Sequence, residues 1–144
     1  GISQALVDFG HDLHAVGAAP GKPGWHIGIE DPARPGAACW GSIAVRDRGV
    51  ASSGDYLRGF TAGGRRYGHI IDPRTGRPVD NGCRQVTVVA RGCLQAGALS
   101  TVVFMLGAQA GIKFVEEING AEAVVVTDHA RHQTKGFNRH VVAP

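Results

Sequence analysis

Residues 85–127 read QVTVVARGCLQAGALSTVVFMLGAQAGIKFVEEINGAEAVVVT, and the layering of the domain can be worked out from them. The β-branched runs at 86–90 and 123–127 are of the kind buried within sheets. Between them the apolar period changes to that of helices. Residues 94–106 predict one helix, with Gly107 at its C′ position. Residues 108–118 predict a second. Ile112, Val115 and Ile118 form its apolar face, Glu116 and Glu117 face water, and Asn119-Gly120 stops it. Working outward, residues 5–9 predict a strand ending at Gly10, and residues 25–29 another that stops at Asp31-Pro32. Strands at 42–45 and 50–52 flank Arg46-Asp47-Arg48-Gly49, which reads as a hairpin-like turn. A short strand is expected through His69-Ile70-Ile71, and a closing edge strand over 136–142. The expected fold class is α+β, with mixed or antiparallel sheet layers and two consecutive helices.

Composition narrows the function. The 144 residues suffice for one domain with a real core. A hydrophobic share of 43% and a charged share of 19% belong to a globular chain. Glycine, at 22 residues, is about twice its usual share of ~7%, without a collagen period. No run reaches the ~18 apolar residues that a membrane helix needs. The net charge is +3, yet only 6% of residues are aromatic, and no basic stripe with interleaved aromatics is present. That disfavours nucleic acid and suits small anionic ligands. Cys39, Cys83 and Cys93 form no CxxC pair and read as buried structural thiols.

Three segments carry chemistry. RYGHIIDPRTGRPV, residues 66–79, sets His69 beside a turn rich in Asp, Arg and Thr. His69 can act there as a base, or can pack and bond the turn backbone. VASSGDYLR, residues 50–58, offers hydroxyls, a flexible backbone and a carboxylate at Ser52, Ser53, Gly54 and Asp55. Such a turn can cradle phosphate or ribose, and can equally be an ordinary hairpin end. QAGALSTVVFMLG, residues 95–107, places Gly97 and Thr101 on one helix face with Ser100 adjacent. Hydroxyls in that position suit a hard cation or a phosphate, or else cap and pack the helix.

Taken together these segments resemble the flavin transferases of the ApbE type. ALVDFGHDLHAVG (5–17) resembles that family's strand ending in a Gly-Gly-Asp/Asn turn, with His11 in place of the second glycine. WHIGIEDP, ASSGDY and HIIDPRTGRPV follow in the family's order. QVTVVA then leads into QAGALSTVVFMLG, which is similar to the family's Ala-Asp-Ala-Leu-Ser-Thr helix, and NGAEAVVVTDHARHQTKGF resembles its last strand pair. The resemblance covers essentially the whole chain but only the second half of the family's length. It therefore implies the C-terminal half of such a domain over residues 1–144, to be completed by the preceding half or by a second chain.

The resemblance implies a Mg²⁺-dependent enzyme that binds FAD, passes FMN to a Thr or Ser hydroxyl of an acceptor protein, and releases AMP. It implies His69 as the base, Ile70 as a flavin-contacting position, Ser53, Gly54 and Asp55 as cofactor-binding, and Ser100 and Thr101 as oxygen ligands of the magnesium. The alternatives are a non-catalytic flavin-binding or partner subunit, and an FAD pyrophosphatase. The resemblance alone suggests the bacterial periplasm or cell envelope. At one position the chain departs from the pattern. Gly97 stands where the family carries a metal-binding Asp, so a weakened Mg²⁺ site is expected.

Overall fold

In the computed structural model, which describes residues 1–56 and 58–142, the chain is α+β and its sheets are antiparallel. The strands are β1 (Ala5–Asp8), β2 (Asp12–Val16), β3 (Trp25–Glu30), β4 (Cys39–Val45), β5 (Arg48–Gly54), β6 (Gly59–Ala62), β7 (Arg65–Gly68), β8 (Ile71–Asp72), β9 (Arg77–Pro78) and β10 (Cys83–Ala90). Helices α1 (Cys93–Leu106) and α2 (Ala108–Glu116) follow, then β11 (Glu122–Thr127), β12 (Arg131–Gln133) and β13 (Val141–Val142). The main sheet has the order β1-β2-β5-β10-β11-β12. A second sheet, β13-β4-β3, packs over one of its faces, and the helices cover the other.

This layering explains the continuous apolar runs, because a central strand buried on both faces has no polar side to show. On β10, Val86, Val88 and Ala90 join the core under the helices, while Val89 joins the core under the second sheet. Val125 and Val124 of β11 divide in the same way. Helix α1 adds Ala96, Leu99, Val103 and Phe104 to the first core, and Gly107 ends it with φ 82° and an N–H bonded to the Val103 carbonyl. None of the helices in the described residues is long and apolar enough to cross a membrane.

Four local expectations are corrected. Residues 42–45 and 50–52 are not hairpin partners: β4 pairs with β3 and β13, whereas β5 pairs with β2 and β10. Arg46-Asp47 is where the chain changes sheets, and the Asp47 carboxylate holds that corner by accepting the Gly17 N–H at 2.7 Å. His69 lies in a bend and Ile70 in neither strand, leaving Ile71–Asp72 to pair with Arg77–Pro78. Residues 136–142 begin with a 3₁₀ turn at Phe137–Arg139, whose buried Phe137 fills the second core, and only Val141–Val142 is strand. Of the cysteines, Cys83 is buried, Cys93 is half-buried and Cys39 is exposed.

Candidate functional site

A cavity of about 310 Å³ opens where β2, β5 and β10 approach β3 and the start of α1. Among the sequence-predicted residues it brings together Ser53, Gly54, His69, Ser100 and Thr101. Ile70 and Asp55 stand outside it. The Ile70 side chain packs against the core, and its carbonyl accepts the Val79 N–H at 2.9 Å. That anchor ties the 69–79 segment to the body and leaves His69 exposed at the cavity. Asp55 pairs with Arg84 at 3.2 Å, and its Oδ1 is buried without a hydrogen-bond partner among the described residues. Burial pushes the Asp55 carboxyl up, against the opposing pull of Arg84 and Arg66.

The hydroxyls form one connected group. Gly97, Ser100 and Thr101 lie on the first turns of α1, and Ser53 faces them from the end of β5. Ser100 Oγ donates to the Gly97 carbonyl at 3.0 Å and Thr101 Oγ1 to the same oxygen at 3.3 Å. Ser53 Oγ lies 2.8 Å from Ser100 Oγ. Ser53 Oγ also lies 3.4 Å from Thr101 Oγ1, and in both hydroxyl pairs either oxygen can donate. Ser53, Ser100 and Thr101 all line the cavity. The close seating of α1 on β5 depends on Gly49, where a Cβ would fall 2.2 Å from the Gly92 carbonyl carbon.

The opposite wall is a polar chain that sequence reasoning missed. Trp40 Nε1 donates to Gln85 Oε1 at 3.1 Å, and Gln85 Nε2 donates to the Tyr56 hydroxyl at 3.0 Å. An indole N–H can only donate, so the Gln85 amide has one orientation. Glu30 lines the same cavity as Tyr56. Burial first, and the Glu30 carboxylate second, push the Tyr56 phenol up to about 12. Register irregularities sit beside both Glu30 and Gln85, as expected where a bulge re-aims side chains at a site. A bulge leaves no mark in composition or periodicity, which is why these residues escaped notice.

Charge is distributed unevenly. Residues 58–80 hold five arginines against two aspartates, a net +3 that equals the net charge of the whole chain. They form the hairpins β6–β7 and β8–β9 on either side of His69, with Arg58 on the cavity wall. Arg65, Arg66, Arg74 and Arg77 line a separate hollow with Asp72 and Asp80, so Arg58 is the arginine that offers positive charge to an anionic ligand in the cavity. Among the described residues no group of three or more His, Cys, Asp or Glu could hold a metal. The Ser100 and Thr101 hydroxyls are nevertheless hard oxygen donors, and Asp12 lines the same cavity. That donor set fits Mg²⁺, which takes one or two carboxylates and completes its shell with phosphate oxygens and water.

The ApbE family profile matches residues 1–125. The chain is 32% identical over 126 residues to an FAD:protein FMN transferase of Klebsiella pneumoniae, covering 88% of this chain and 38% of that protein. It is 37% identical over 123 residues to the enzyme of the same name from Haemophilus influenzae, covering 84% and 35%. Its fold matches the crystal structure of the ApbE protein from Thermotoga maritima with a TM-score of 0.85 and 34% identity, over 97% of this chain and 45% of that one. The chain thus spans between about a third and just under half of the length of these relatives. From the profile over most of its length and the shared fold, the chain belongs to the ApbE family.

Proposed function

We propose that residues 1–144 are the second half of a flavin transferase domain that moves FMN from FAD to a Thr or Ser hydroxyl of an acceptor protein. The observation that carries this reading is the single cavity joining His69 to the Ser53–Ser100–Thr101 hydroxyl group, in a chain of the ApbE family. In the reaction the acceptor oxygen bonds to the FMN phosphorus and the pyrophosphate P–O bond breaks. AMP leaves with the bonding electrons, and the hydroxyl proton passes to the His69 imidazole. Mg²⁺, held by Thr101 and Ser100, would supply charge neutralisation at the pyrophosphate. Arg58 on the cavity wall favours entry of the anionic dinucleotide, and the Tyr56–Gln85–Trp40 chain gives the far wall a fixed hydrogen-bond polarity.

The test is to incubate the protein carrying this sequence with FAD, Mg²⁺ and an acceptor, and to follow flavin fluorescence on the acceptor band. His69→Ala should slow transfer by ~10²–10⁴-fold, the weight of general base catalysis, with FAD affinity within a few-fold of wild type. Free FMN without labelled acceptor would point to a pyrophosphatase instead. Bound but unreacted FAD would point to a binding subunit.

A further inference from the structure

Asp12 begins β2, and its partner across the ladder is Ala51 of β5. Side chains alternate along a strand, and Leu13 and Ala15 enter the core beneath the second sheet. Asp12 therefore projects to the opposite face, where α1 lies, as do Ala51 and Ser53. A Cβ built on Gly97 would lie 3.6 Å from Asp12 Oδ2 and 3.8 Å from Oδ1. The carboxylate of Asp12 thus borders the space into which an acidic side chain at position 97 would extend. Among the described residues Asp12 enters no ion pair, and α1 starts without a side-chain cap.

We propose that Asp12 supplies the carboxylate of a Mg²⁺ site shared with Thr101 and Ser100, taking the place that a carboxylate at position 97 would hold. The charge arrives from a neighbouring strand rather than from the helix. A Cβ at position 97 would meet the Asp12 carboxylate only at ordinary contact distance, so both positions border the same part of the cavity. The hydroxyl of Thr101, which lines the same cavity, is a neutral second ligand. The identity of the cation rests on the flavin-transferase reading; the assignment of Asp12 as its carboxylate rests on the geometry.

The decisive experiment is calorimetric titration of the protein with Mg²⁺ alone, checked by Mn²⁺ electron paramagnetic resonance, without FAD or acceptor. Asp12→Asn keeps the shape and removes the charge. It should weaken Mg²⁺ binding by at least ~10-fold, since even groups that only support a metal ligand are worth 10–100-fold. Adding Gly97→Asp to Asp12→Asn should return affinity to within about threefold of wild type, because a Cβ at position 97 meets residue 12 only at ordinary contact distance and the helix can then supply the charge beside it. Recovery of this kind distinguishes a ligand from a residue needed only for folding, and thermal melts of all variants verify that each is folded. Wild-type affinity in Asp12→Asn, no recovery in the folded double variant, or no Mg²⁺ binding by the wild type would each overturn the assignment. If FMN transfer fails while Mg²⁺ binding follows the carboxylate, the activity is wrong and the site stands.

Discussion

Gly49→Ala joins the packing of the fold to the geometry of the site. The added Cβ would sit 2.2 Å from the Gly92 carbonyl carbon and 2.3 Å from the Cys93 nitrogen, both backbone atoms that no rotamer change can move. Ordinary contact begins near 3.4 Å, so the start of α1 must retreat from β5 by about 1.2 Å. Ser53 and Ser100, 2.8 Å apart across that seam, would then stand about 4 Å apart and lose their hydrogen bond. Overpacking of this kind costs ~1–3 kcal/mol and the lost bond ~1 kcal/mol, which gives a destabilisation of ~2–4 kcal/mol. For a chain of this size that lowers Tm by roughly 5–15 °C. Urea unfolding of wild type and variant measures it, with Gly41→Ala as the control, since a Cβ at Gly41 meets nothing within 4 Å. If Gly49→Ala unfolds within ~0.5 kcal/mol of wild type, the helix is not seated by contact at Gly49, and the account of how the hydroxyls are placed is wrong.

His140 should make the fold acid-sensitive. Burial lowers its pKa below the ordinary 6.5, so on acidification the unfolded chain takes up the proton first. Its contribution is complete above about pH 6.5 and is lost as pH falls through the lowered value; melts at about pH 7.5 and about pH 5 should differ by less in His140→Gln. The thiols should separate by reactivity: Cys39 is exposed, while burial pushes the Cys83 thiol up to about 11. A thiol reagent followed by mass spectrometry should label Cys39 in the folded protein and Cys83 only after denaturant.

Elements whose signal is local were legible in the sequence. The runs at 86–90 and 123–127, the two helices and the Gly107 stop all appear close to their expected bounds, because a doubly buried strand and a helix end each leave a pattern within a few residues. The β1–β2 hairpin was only half visible. Its turn places Gly10 and His11 at φ 65° and 80°, and histidine at such a position does not announce a hairpin as Asn-Gly does. The β6–β7 hairpin hid for another reason. Its first strand is exposed throughout, so no alternation of apolar and polar residues marks it. The sheet change at Arg46-Asp47 was read as a hairpin because closeness in sequence mimics pairing, and only the register of β4 and β5 separates the two.

The site divides along the same line. His69, Ser53, Gly54, Ser100 and Thr101 come from recognisable strings and meet in one cavity. Glu30, Tyr56, Gln85 and Asp12 belong to the same cavity through tertiary placement: bulges aim the first and third, and the β2–β5 register aims the last. Gly97 shows what this difference means for inference. Read along the helix, a glycine there is a missing ligand, and a weakened cation site follows. Across the sheet the same position borders another carboxylate, that of Asp12, 3.6 Å from where its Cβ would be. A cation responds to the charge and distance of the oxygens around it, whichever strand or helix carries them. Loss of an acidic residue at one position of a motif is therefore evidence against a metal site only after the neighbouring strands have been searched for the same charge.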